Sequence, residues 1–101
     1  MNYILDANKE LVEVDLNTWG QWFENMVNRR VASTYIDDYH ISTVFLGINH
    51  SWNDESKPLV YETMVFSPKG DDSYMRRYYT WNEAEIGHMK AVEWVKQGAK
   101  E

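Results

Sequence analysis

Between residues 40 and 79 the chain carries three apolar, β-prone stretches, at 40–48, 59–66 and 74–79, separated by two polar loops. Val, Ile, Thr, Phe and Tyr dominate them, with no breakers and no apolar positions at helical spacing. That pattern predicts three neighbouring antiparallel strands. In the first, Ile41, Thr43, Phe45 and Gly47 share one face, and Ser42, Val44, Leu46 and Ile48 share the other. Both rows hold apolar groups, so this strand is expected at the centre of a sheet. In the second, Leu59, Tyr61, Thr63 and Val65 alternate with Val60, Glu62, Met64 and Phe66, which leaves Glu62 as a carboxylate in an apolar row. Pro58 suits the start of that strand, where its missing N–H is tolerated. The segment 67–72, SPKGDD, has strong turn chemistry.

The rest of the chain packs around this block. Residues 31–36 predict a further strand, turned by Asp37-Asp38, although the Gly favoured in a tight hairpin is missing. Residues 3–5 and 11–14 flank the turn formers Asp6-Ala7-Asn8-Lys9 and predict a small hairpin, or a frayed arm, since two strands alone are barely stable. Residues 15–28 predict a helix. Leu16, Trp19, Phe23, Met26 and Val27 make its apolar stripe, Trp22 flanks it, and Asp15 or Asn17 caps it. Gly20 inside that helix costs about 1 kcal/mol against Ala, which suggests a close neighbour. Arg29 and Arg30 fall where the helix dipole favours positive charge. The second helix begins at the capping box Thr80-Trp81-Asn82-Glu83, with Trp81, Ala84, His88, Ala91, Val92 and Val95 along one side. Gly98 is its natural stop, and Lys96 and Lys100 complement its dipole. The order is ββ-α-ββββ-α. It predicts one α+β domain over residues 1–101, with a mainly antiparallel sheet of about five to six strands and two helices.

Composition narrows the chemistry. With 44% hydrophobic and 15% aromatic residues in 101, the chain can build a core without staples. There is no Cys, which excludes disulfides, thiolate zinc sites and a Cys nucleophile. A net charge of −6 leaves no basic footprint beyond Arg29-Arg30 and Arg76-Arg77, so no nucleic-acid partner is expected. No apolar run approaches the roughly 20 residues of a membrane span, and the first ten residues lack the pattern of a signal peptide. A cytoplasmic protein that does not engage membranes is expected.

Four polar residues stand out as ligand-binding candidates: His50, Glu62, Arg77 and His88. Were the last helix to cover the Glu62 face, they would converge, Glu and His for acid–base work and Arg to hold an anion. The bland alternative is a satisfied polar network that fixes register. No metal-ligand spacing occurs, and neither a metal nor any other cofactor is expected. Folding the hairpin about Lys69-Gly70 pairs Phe66 with Ser73, Met64 with Met75, Glu62 with Arg77 and Val60 with Tyr79. Trp22, Trp52 and Trp94 are candidates for a partner surface. Trp52 and His50 lie in the polar loop NHSWNDESK, where an aromatic either covers a core edge or meets a ligand.

Several blocks are familiar in combination: Arg30-Val31-Ala32; Ser42-Thr43-Val44-Phe45-Leu46-Gly47 with His50; Tyr61-Glu62-Thr63-Met64-Val65-Phe66; and Arg77-Tyr78 with Thr80-Trp81-Asn82-Glu83-Ala84 and Gly87-His88. Together they resemble a family of small uncharacterised proteins encoded by tailed bacteriophages and prophages. The resemblance runs from about Trp19 to Val95 and departs in the loop after Gly47, where the family carries more Gly and Pro. It implies an accessory protein acting in the infected host cell. The expected role is non-catalytic binding of a host or defence-system protein, or sequestration of a small ligand. A small enzyme using the Glu/His/Arg cluster and a minor virion component are the alternatives.

Overall fold

A computed structural model describes residues 2–25, 29–48, 59–69 and 74–99. Among the described residues, six strands and two helices follow in the expected order, ββ-α-ββββ-α: β1 Asn2–Leu5, β2 Leu11–Val14, α1 Leu16–Phe23, β3 Arg30–Ile36, β4 Tyr39–Phe45, β5 Tyr61–Phe66, β6 Tyr74–Tyr78 and α2 Trp81–Lys96. The fold is α+β. Strands β3-β4-β5-β6 form a four-stranded antiparallel meander, and β1-β2 form a separate two-stranded sheet.

The hairpin β1-β2 is anchored. Its turn is held by Asp6: Oδ1 accepts from Asn8 N at 2.8 Å and Glu10 N at 3.0 Å, and the Asp6 carbonyl accepts from Lys9 N at 3.0 Å, an Asx arrangement laid over a backbone turn. Leu5 is buried, and Tyr3 N donates to Gly47 O at 2.7 Å. Gly47 is buried with φ +72, and a Cβ there would meet the Trp19 indole and, at 2.6 Å, Tyr3 O. The position admits only glycine because backbone and indole close on it from two sides.

Helix α1 is shorter than its apolar pattern suggests. Asp15 caps it, accepting from Thr18 N at 2.7 Å, and that bond holds the Asp15 carboxyl below its ordinary range. None of its residues is fully buried, and Leu16, expected on the core stripe, is 67% exposed. Trp22, at the stripe's margin, instead packs edge-on against Phe45, at 5.5 Å. No basic residue lies in the last turn; Arg29 stacks over Phe23 and Arg30 opens β3. Gly20 has open space where a Cβ would stand, so no close packing requires it. Met26 and Val27 lie outside the described residues.

Helix α2 decides which sheet face is inside. Its capping box is complete: Glu83 N donates to Thr80 Oγ1 at 3.1 Å, and Glu83 Oε1 accepts from Thr80 N at 3.2 Å. It ends in a Schellman arrangement, with Gly98 N on Val95 O at 3.0 Å and Ala99 N on Trp94 O at 2.9 Å, and Gly98 at φ +93. Its buried side, Ala84, Gly87, His88, Ala91, Val92 and Val95, is small. Small residues let the helix axis lie close to the sheet. Gly87 is the closest point, because a Cβ there would collide with the Tyr78 ring. Under the helix lie Ile41, Thr43 and Phe45 of β4 and Tyr61, Thr63 and Val65 of β5, all essentially inaccessible. Val60 joins the same core where the chain enters β5. Full burial of each large apolar side chain stabilises the fold by roughly 1.5–3 kcal/mol.

Candidate functional site

The choice of inner face separates the residues that the sequence brought together. β5 alternates, so Thr63 under α2 puts Glu62 on the opposite face. Glu62 and Arg77 are partners in the β5-β6 register, as are Met64 and Met75, as the hairpin reading has it. Arg77 Nε donates to Glu62 Oε2 at 3.0 Å. His88 lies on the other side of the sheet, so it does not stand above this pair. The convergence of Glu62, Arg77 and His88 on one ligand site is therefore corrected by the position of α2. His50 and Trp52, like Ser73 of the hairpin register, lie outside the described residues.

His88 is 3% exposed and fully engaged. Its Nδ1 lies 2.7 Å from Thr43 Oγ1, and its Nε2 lies 2.8 Å from Thr34 Oγ1. Thr43 Oγ1 is also 2.5 Å from Thr63 Oγ1. A neutral imidazole satisfies this chain in either tautomer, since each hydroxyl both donates and accepts. Burial, and to a smaller degree the nearby His40, hold the His88 pKa below its ordinary value. A substrate cannot reach a ring whose two nitrogens both face threonine hydroxyls inside the core. His88 thus serves the polar network that joins α2 to β3, β4 and β5. Sequence reasoning placed His88 on the inner side of the helix and missed Thr34, Thr43 and Thr63; Thr at alternating positions of two apolar strands was the available signal.

The outer face of the meander is arranged in rungs. Tyr35 pairs with His40, and His40 with Phe66, across β3, β4 and β5. The Tyr35 and His40 rings stack at 4.2 Å and 5°, and His40 meets Phe66 at 6.0 Å. The next rung is Ser33, Ser42, Met64 and Met75, and a third runs through Val44, Glu62 and Arg77. Tyr35 is 72% exposed, Met75 44% and Phe66 38%. His40 Nε2 is tied to Ser33 Oγ at 2.8 Å, which fixes the ring under Tyr35.

No family model matches this chain. Neither does any curated protein or solved structure.

Among the sequence-predicted partner-surface residues, Trp22 is half-buried against Phe45, and Trp94 is half-buried against Tyr74 at 4.8 Å. Both belong to packing as much as to surface. Among the described residues, no group of three or more His, Asp or Glu is placed to hold a metal ion, and no helix is long and apolar enough to cross a membrane.

Proposed function

We propose that the protein is a non-catalytic binding protein that engages another protein through the outer face of β3-β4-β5-β6. The observation that carries this reading is the outward-facing row Tyr35–His40–Phe66, with Met75 on the next rung and the Glu62–Arg77 pair on the third. Aromatic, thioether and guanidinium groups in one contiguous patch are the composition of interface hot spots. A sheet face is broad rather than concave, which suits a macromolecule better than a small ligand. The chain's acidity disfavours a nucleic-acid backbone as the occupant.

Catalysis by the Glu/His/Arg cluster has less support, because His88 is sealed in the core and Glu62 and Arg77 face away from it. A phage setting, with a host or defence-system protein as the partner in the infected cell, is supported by the resemblance of the sequence blocks.

Affinity capture from infected-cell lysate, comparing the wild-type chain with Tyr35→Ser/Phe66→Ser, tests the reading. Both positions are exposed, so the variant should fold. A protein retained by the wild type and lost from the folded variant supports it; identical retention by both overturns it.

A further inference from the structure

On the other side of the molecule, α2 and the edge strand β6 enclose a cleft of about 330 Å³, lined by Tyr74, Arg76, Tyr78, Ile86, Gly87 and Lys90, with Glu83 at one end. This volume lies in the range of small-molecule sites. The cleft exists because of two choices in the sequence. Gly87 brings the helix onto the Tyr78 ring, and the β5-β6 register turns Tyr74, Arg76 and Tyr78 towards the helix, opposite Val65, Thr63 and Tyr61.

Its charge is out of keeping with the rest of the chain. The protein carries −6 overall, yet two cations border this cleft. Arg76 lies over the Tyr74 ring at 4.5 Å and spends Nη1 on the Met75 carbonyl at 2.8 Å, which leaves its other guanidinium donors available. Lys90 is exposed on α2 and takes part in neither ion pair found among the described residues, Arg77–Glu62 and Lys96–Glu93. The one carboxylate at the cleft, Glu83, is turned to the helix cap, where Oε1 accepts from Tyr79 N and Thr80 N at 3.1 and 3.2 Å. The Tyr78 hydroxyl is buried without a hydrogen bond of good geometry, with Thr63 beside it. Ile86 and Lys90 also border a second hollow, completed by Met89, Glu93, Trp94 and Gln97, where Glu93 is paired with Lys96; Trp94 packs on Tyr74.

We propose that this cleft binds a small organic anion, with the anionic group between Arg76 and Lys90 and a flat apolar body against Tyr74 and Ile86. Arginine supplies directional donors and lysine a point charge, the pairing suited to phosphate or carboxylate. The aromatic wall supplies the apolar contact that inorganic ions cannot use. The site is independent of the outer sheet face, and either can exist without the other.

The test is a two-dimensional amide NMR titration of the full chain with phenyl phosphate, with benzoate, inorganic phosphate and phenol as separate arms. Saturable shifts centred on residues 74–78 and 86–90 are expected with phenyl phosphate or benzoate, and whichever binds more tightly identifies the anionic group. Inorganic phosphate and phenol should each bind at least about tenfold more weakly, since each lacks one half of the recognition. Arg76→Gln/Lys90→Gln changes two exposed side chains and should keep the spectrum of the fold while losing the shifts. Shifts centred elsewhere, no saturable shift with either aromatic anion, undiminished binding by the double variant, or equal binding of inorganic phosphate would each overturn the proposal.

Discussion

Arg77 and Glu62 face each other across one rung of β5 and β6, joined by a 3.0 Å hydrogen bond on the face that α2 does not cover. Their side chains are 34% and 13% exposed, so the pair is neither a free surface ion pair nor a buried one. Exposed pairs contribute about 0.2–1 kcal/mol, whereas losing one partner of a buried pair costs roughly 3–5 kcal/mol. A double-mutant cycle with Glu62→Gln and Arg77→Met should give a coupling of about 1 kcal/mol. Additive losses would show that the two side chains do not interact. A coupling of roughly 3 kcal/mol or more would mean that both charges are withdrawn from water.

His88 links stability to pH. Its folded pKa is depressed by burial and by His40, while the unfolded chain titrates near the ordinary value of about 6.5. Below that pH the unfolded chain takes up a proton that the native state refuses. Stability is therefore fully present above about pH 6.5 and is lost as pH falls towards the folded pKa. Urea midpoints measured from pH 7.5 down to 5 should fall for the wild type. In His88→Gln the protein should be less stable at pH 7.5, because the threonine network is broken, and the part of the decline due to His88 should vanish. An unchanged decline in the variant would move the titrating group elsewhere.

Two glycines are expected to respond in opposite ways. Gly20→Ala adds a methyl into open space within α1 and should stabilise the protein by about 0.5–1 kcal/mol through helix propensity and reduced unfolded-state entropy. Gly47→Ala places a Cβ at φ +72 against Trp19 and the Tyr3 carbonyl. The backbone alone costs roughly 1–2 kcal/mol there, and relieving the collision means parting the β1-β2 hairpin from β4. Thermal melts order the two variants around wild type, and hydrogen exchange of the Tyr3 amide reports whether the hairpin has lifted.

The first turn of α2 supplies a smaller effect. Thr80→Ala removes the acceptor for Glu83 N and one half of the capping box, and should cost about 1 kcal/mol. For a chain of this length that lowers Tm by about 4–8 °C. No change in Tm would show that the cap is replaced by water at no cost.

Much of this architecture is legible in the residues. Alternation in β4 assigns Ile41, Thr43 and Phe45 to one face, and all three are buried; Gly47, expected on the same face, lies beyond the end of β4 and is buried at φ +72 against Trp19 and Tyr3. Thr80 and Glu83 announce the start of α2, and Gly98 its end. The expected register, which pairs Glu62 with Arg77 and Met64 with Met75, is the one that β5 and β6 adopt. What could not be read is which face of β5 the helix takes. Both rows of that strand contain apolar side chains, so periodicity alone does not decide between the row of Thr63 and the row of Glu62. The helix takes the Thr63 row, where His88 meets hydroxyls rather than a second charge. The Tyr35–His40–Phe66 row was hidden for a related reason: it spans three strands, and its members come together only through two registers at once. In the two-residue turn, Asp37 adopts φ +52 in place of the missing Gly, and this sets the first of those registers.

The outer sheet face is tested most directly by site-specific photo-crosslinking in infected cells. A photoreactive phenylalanine analogue replaces Tyr35 in one chain and Glu85, exposed on α2, in another. A single partner protein crosslinked from position 35 and not from position 85, and lost when Phe66→Ser is added, is the expected result. The same partner crosslinked from position 85 alone, equally from both positions, or from neither would contradict binding through the Tyr35–His40–Phe66 face.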